Sequence, residues 1–187
     1  MKLVRLAVPL ILTLATLAAC GASAGPSATS PPQSTSSAVT TPAATPQQTA
    51  PPALTASSVY AALQGAGLPV SGLIVYTAAT DPNHLLGRPT GYLSKCAWSD
   101  ARVPAADATD PSSGDVGNGG SVEVFSTAAE ATARAAYILT TEKALPLLGS
   151  EYDYLAGPVL IRVSRYLTPD QAATYGSAVG ATLYQAS

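Results

Sequence analysis

The chain has 187 residues, a formal net charge of −2, a single histidine and only 11% charged residues. So weakly charged a chain lacks the basic surface of a nucleic-acid binder and the basic stripe that docks a helix on anionic lipid. The same scarcity argues against sites built from many ionisable groups.

In chain order, Lys2 and Arg5 precede an apolar run over residues 6–19 that contains Pro9. A spanning helix needs about 20 residues. The run is shorter and has the length of a signal-peptide core. It ends in Leu17-Ala18-Ala19-Cys20, followed by Gly21. This pattern resembles the lipobox of bacterial lipoprotein signal peptides, with cleavage before Cys20 and a diacylglyceryl group on its sulfur. Two acyl chains matter because one gives only marginal, reversible membrane binding. Removal of residues 1–19 takes Lys2 and Arg5 with it. Seven basic residues then face eleven acidic ones, a net charge of about −4.

Cys20 and Cys96 are the only cysteines. With Cys20 lipidated, no disulfide forms within one chain. A lone thiol in an oxidising compartment is either buried or paired between chains. Free cysteine is among the most buried residue types, so Cys96 is expected in the core.

Residues 21–54 consist almost wholly of Ala, Ser, Thr, Pro, Gly and Gln, without charge or aromatic side chain. Such a segment buries too little apolar surface to offset its conformational entropy. It reads as a disordered stalk spanning roughly 30–35 Å as a coil. Its Ser/Thr/Pro content suits O-glycosylation.

Residues 55–187 suffice for one modest core. Thr55 to Leu68 reads as a helix and Gly72 to Thr77 as a strand. Asp81 to Gly87 reads as one helical turn, with Asp81 as N-cap and Pro82 first inside. Tyr92 to Val103 is a second strand, with Cys96 and Trp98 on one face and Lys95, Ala97 and Ser99 on the other. A flexible connection over 104–120 leads to a third strand, Ser121 to Phe125. Thr127 and Glu130 make a capping box that opens a helix to about Leu145, with Ala131, Ala135, Ile138 and Leu139 as its apolar stripe. Glu151 to Leu155 and Val159 to Ser164 form a hairpin. Thr168 and Gln171 cap a last helix through about Tyr184. The order α-β-β-β-α-β-β-α predicts an α+β fold: an antiparallel sheet of about five strands, covered on one face by two or three helices.

The lipobox, the Ser/Thr/Pro stalk, and the segments Asp81-Pro-Asn-His-Leu-Leu-Gly-Arg-Pro and Gly120-Ser-Val-Glu-Val-Phe together resemble small lipoproteins of high-GC actinobacteria. The resemblance covers most of the chain. It implies a location, anchored to the outer face of the cell membrane, and no particular activity.

Four groups of residues are candidates for chemistry. Cys96 and His84, twelve residues apart, make a nucleophile and base if the thiol is exposed. Asp107, Asp110 and Asp115 share a Gly/Ser-rich loop, but their spacing departs from the EF-hand pattern and reads as a solvated loop. Asp100, Arg102, Glu123 and Arg162 sit on strands, as a polar site or, preferably, as cross-strand ion pairs. His84, Arg88, Tyr92 and Trp98 offer a binding surface, since aromatic residues and Arg favour interfaces. Tyr152, Tyr154 and Tyr166 lie near the hairpin. No phosphate-binding glycine loop, metal-ligand spacing or cofactor motif is present in the sequence.

The expected protein is therefore a lipid-anchored extracytoplasmic domain, non-enzymatic, that binds an envelope protein or a cell-wall component. The alternative is an envelope-acting hydrolase using carboxylates or Cys96. The two differ in whether ionisable groups converge in a concave pocket.

Overall fold

The computed structural model describes residues 53–185. The expected signal peptide, the lipidation site Cys20 and nearly all of the stalk lie outside the described residues. The described residues belong to one compact unit.

Each helix starts where its capping residues place it. Thr55 caps α1 (Ala56–Gly65), with reciprocal hydrogen bonds to Ser58. Thr127 and Glu130 cap α2 (Ala128–Ala144) in the same way. Thr168 and Gln171 cap α3 (Pro169–Val179), which has proline in its first turn. Such a cap satisfies amides that have no partner inside the helix. The strands are β1 (Val70–Val75), β2 (Ser94–Asp100), β3 (Gly119–Val124), β4 (Tyr152–Ala156), β5 (Val159–Val163) and β6 (Thr182–Leu183). They form one antiparallel sheet in the order β1-β2-β3-β5-β4-β6. The fold is α+β, as the sequence pattern predicts.

Three expectations need correction. The last helix does not run to Tyr184. Gly180 takes φ +66° and its N–H returns to Gly176 and Ser177, which closes the helix. The chain then pairs Leu183 with Tyr154, giving a sixth strand. The 81–87 segment forms no helical turn. Asp81 instead accepts hydrogen bonds from the amides of Asn83, Leu85 and Leu86, and His84 turns to φ +53°. A side chain that gathers local amides competes with the helical pattern. Finally, the sheet is not covered on one face alone.

On the first face, Cys96, Trp98, Val122, Val124, Ile161 and Val163 meet α1 and α3 in the larger core. Trp98 stacks on Tyr175 at 5.8 Å between centroids and donates its Nε1–H to the Tyr175 hydroxyl. Gly120 makes room for this ring. A Cβ there would come within 2.6 Å of Trp98 Cζ2 and 2.5 Å of the Arg162 carbonyl oxygen. The second face carries Lys95, Ala97, Ser121, Glu123, Leu160 and Arg162. There α2 lays Ala131, Ala135 and Ile138 against Leu160, Phe125 and Tyr92. Every residue of β3 is buried. Its valine/polar alternation suggests a wet second face, but the polar partner Glu123 is closed over by cations and so lies inside.

Candidate functional site

Three strands place the charges of the second face. Lys95 on β2 stands directly opposite Glu123 on β3, while Arg162 on β5 stands opposite Ser121, the next inward position along β3. These are the spacings at which cross-strand side chains meet. Arg134 descends from α2, on the helix flank beside Ala131 and Ala135. Asp81 comes from the loop after β1, and Glu151 immediately precedes β4.

Glu123 is fully buried and serves three cations: Arg134 Nε at 3.0 Å, Arg162 Nη1 at 3.5 Å and Lys95 Nζ at 3.9 Å. Lys95 Nζ also lies 3.2 Å from Asp81 Oδ1. Arg162 grips both carboxylate oxygens of Glu151 through Nε and Nη2. With its amide oxygen turned inward, Asn83 accepts from Arg134 Nη2 at 3.1 Å and from Lys95 Nζ at 2.9 Å. Burial of so many charges is tolerable only because they are mutually paired.

The titration behaviour follows from the same contacts. Burial drives the Asp81 carboxyl up. The Tyr92 hydroxyl at 2.6 Å, the Leu85 and Leu86 amides and the Lys95 charge outweigh it, and hold the group at about 2. Burial draws the Lys95 ammonium down against the pull of Glu123 and Asp81. Asp153, opposite Arg162 on β4, is pushed up to about 8 by burial and by the Glu151 charge. It is therefore largely protonated at neutral pH, and its Oδ1 makes no hydrogen bond. Burial and Glu151 also raise the Glu142 carboxyl.

Arg134, Glu151 and Arg162 of this network form the floor of an open hollow of about 910 Å³. Its walls include Asn83, Thr90, Tyr137, Thr141 and Glu142. A second hollow of about 310 Å³ lies beside it, walled by Asp107, Asp115, Ser164 and Tyr166. The two share Glu142, Gly149, Glu151 and Arg162. Tyr137 is 63% exposed and lies beneath the Arg134 guanidinium, 5.6 Å from ring centroid to Cζ. In the second hollow Arg165 stands 4.7 Å over the Tyr166 ring. Guanidinium groups over aromatic rings are favourable contacts that fix ring orientation.

The four-residue surface expected from sequence does not form. His84 and Arg88 are exposed on the loop after β1, but Tyr92 is fully buried and Trp98 is 2% exposed. The two aromatics also lie in different cores. Tyr92 packs edge-on against Phe125 below α2, whereas Trp98 faces α1 and α3. Their rings were apolar enough to be taken inside, and each polar tip found a buried partner, Asp81 for Tyr92 and Tyr175 for Trp98.

Cys96 lies in the first core and directs its thiol at the Ala56 carbonyl, 3.4 Å away. Burial pushes this thiol up to about 12. It is not an activated nucleophile, and no imidazole caps it. Asp110 and Asp115 each cap a short turn, accepting from Ser112 and Gly117. Among the described residues no three carboxylate, histidine or cysteine side chains gather as metal ligands. Asp100 and Arg102 pair at 2.6 Å at the rim of the first core, where the Tyr175 hydroxyl also donates to Asp100. They are thus separate from Glu123 and Arg162 on the second face. Glu123 and Arg162 form a cross-strand ion pair, as preferred from the sequence, whereas Arg102 lies in the turn after β2 and pairs with Asp100 two residues before it. The carboxylates of both pairs are buried rather than exposed.

The sequence reading missed Lys95, Arg134, Glu151 and Tyr137 as members of one site. A signal existed in part. Lys95, Glu123 and Arg162 are charges at inward-alternating positions of three mainly apolar strands, and a charge repeated in that place invites pairing. Nothing in the sequence announces the exposed Tyr137.

No protein-family model matches the chain, and neither a curated protein nor a solved structure is similar to it at a level that counts as a match.

Proposed function

We propose that the protein is a lipid-anchored extracytoplasmic binding domain, and that it receives an envelope protein or a cell-wall component in the cleft of the second face. One observation carries the reading: an open cleft of about 910 Å³ with a rigid, internally paired floor and an exposed tyrosine on its wall. Fixed polar groups in a preformed concavity are the usual basis of ligand recognition. The hydrolase alternative loses its thiol candidate, because Cys96 is buried and held at about 12. Its carboxylate form would have to use Glu142, a raised carboxyl that lines both hollows, together with Glu151, whose two oxygens are already held by Arg162. Asp153 lines neither hollow.

A photocrosslinking residue placed at Tyr137 in living cells tests the reading. The expected result is a discrete crosslinked product from Tyr137 and none from a control at the exposed Ser71 on edge strand β1. Equal labelling at both positions, or none at Tyr137, overturns it. The anchor is tested separately. Cys20→Ala should abolish fatty-acid labelling, and a labelled variant would refute lipidation at that residue.

A further inference from the structure

We infer that the ligand of this cleft is an uncharged oligosaccharide, lying across both hollows as an extended chain. The inference rests on the cleft being the binding surface and adds the class of ligand.

Charge balance is the first argument. Both guanidinium groups that line the first hollow already have an anion within the protein: Arg134 has Glu123, and Arg162 has Glu151. Its carboxylates are engaged as well, Glu151 by Arg162, Glu130 by the α2 cap and Glu142 by the Glu151 amide, so a ligand with net charge would have to compete with these fixed contacts. A neutral ligand leaves them intact.

Hydrogen-bonding capacity is the second. Paired carboxylates and guanidinium groups keep lone pairs and N–H donors beyond those used in the pair. Asn83, Thr90, Thr141 and Glu142 add mixed donors and acceptors along one wall. A hydroxyl both donates and accepts, so a polyol satisfies such a wall where an ion of either sign would not.

The third argument is shape. The hollows meet along Glu142, Gly149, Glu151 and Arg162, which makes a groove rather than a closed pocket. Each hollow carries one tyrosine with a guanidinium over its ring, Tyr137 with Arg134 and Tyr166 with Arg165. A ring fixed in this way presents a flat apolar platform beside polar groups. Tyr166 is half-buried against the first core, so the open platform is the exposed Tyr137 ring. Beside a groove it suits a chain of units that have an apolar face and a hydroxyl rim, as linked pyranose rings do.

The test uses the full-length lipidated chain in detergent micelles. Calorimetric titrations use two neutral probes, the β-1,4-linked hexamers of glucose and of N-acetylglucosamine. Acidic and basic hexapeptides serve as comparators. The expected result is saturable binding of a neutral hexamer that changes less than about twofold between roughly 0.05 and 0.5 M salt, because no ion pair forms across the interface. Tyr137→Ala should weaken it at least about tenfold, while Tyr137→Phe retains it. Tyr137 is largely exposed, so both variants keep the fold.

If a charged peptide binds in a salt-sensitive manner and neither sugar does, the oligosaccharide class is wrong and the binding cleft stands. Sugar binding unaffected by Tyr137→Ala also overturns the inference, since it places the sugar elsewhere. If neither sugar nor peptide binds, the ligand class is refuted, and the in-cell crosslink at Tyr137 decides the binding reading independently.

Discussion

On the face beneath α1 and α3 the sheet meets its cover through valines, isoleucine and stacked aromatics, with polar contacts at the Trp98–Tyr175–Asp100 rim and at Ser94 and Cys96 beneath the start of α1. On the face beneath α2 the same strands meet their cover through Glu123 and its three cations, with a small apolar patch at one end. Apolar packing is non-directional and tolerates repacking, whereas a buried charge network depends on every member. The first face therefore serves cohesion. The second exchanges some cohesion for a rigid polar floor that stays open to solvent along one side, and the cleft lies there.

Removing Glu123 is the harshest way to break this contrast. Glu123→Ala leaves Arg134 without its anion and strips Lys95 and Arg162 of one of their two, and should cost about 3–5 kcal/mol, read from urea unfolding. A loss below about 1 kcal/mol would mean that the network is solvated and the two faces are alike. On the first face the matching polar change is Tyr175→Phe. It strips one donor from Asp100 and one acceptor from Trp98, at an expected cost of about 1–3 kcal/mol.

Asp153 sharpens the contrast through pH. Its carboxyl titrates near 3.8 when unfolded and at about 8 when folded. Between those values the folded state holds a proton that the unfolded state has released. The stability contributed by this group therefore falls as pH rises from about 4 to about 8, by at most about 1.4 kcal/mol per pH unit. Asp153→Asn should remove that slope and gain on the wild type as pH approaches 8. Parallel stability curves would show that Asp153 does not titrate in this range. The smallest effect is expected on the cleft wall. Tyr137→Ala should shift stability by less than about 0.5 kcal/mol, so any loss of ligand in that variant reports recognition and not folding.

Much of the architecture was legible. The capping boxes at Thr127 and Thr168 fix two helix starts, because the same side chains that signal a cap also make its hydrogen bonds. The alternation in β2 sorts Cys96 and Trp98 from Lys95 onto opposite faces. What could not be read were consequences of distant partners. β6 exists because β4 offers an edge to Leu183, and the 81–87 segment avoids a helix because Asp81 is also engaged by Tyr92 and Lys95. The site was legible only as isolated charges. Glu123 and Arg162 stand out on their strands, but α2 delivers Arg134 to them by a packing arrangement that no local pattern encodes. Tyr92 and Trp98 misled for a related reason: aromatic residues suit interfaces and cores alike, and only the tertiary fold chooses between them.

The convergence of three cations on one carboxylate also bears on how this sequence can vary. Lys95, Arg134 and Arg162 come from a strand, a helix and another strand, far apart in the chain, yet each is neutralised in part by Glu123. A substitution at any one of them alters the field felt by the other two, so their effects will not add. Exchanges at these positions are therefore expected to depend on one another, so that a change tolerated at one is costly or cheap according to what stands at the other two.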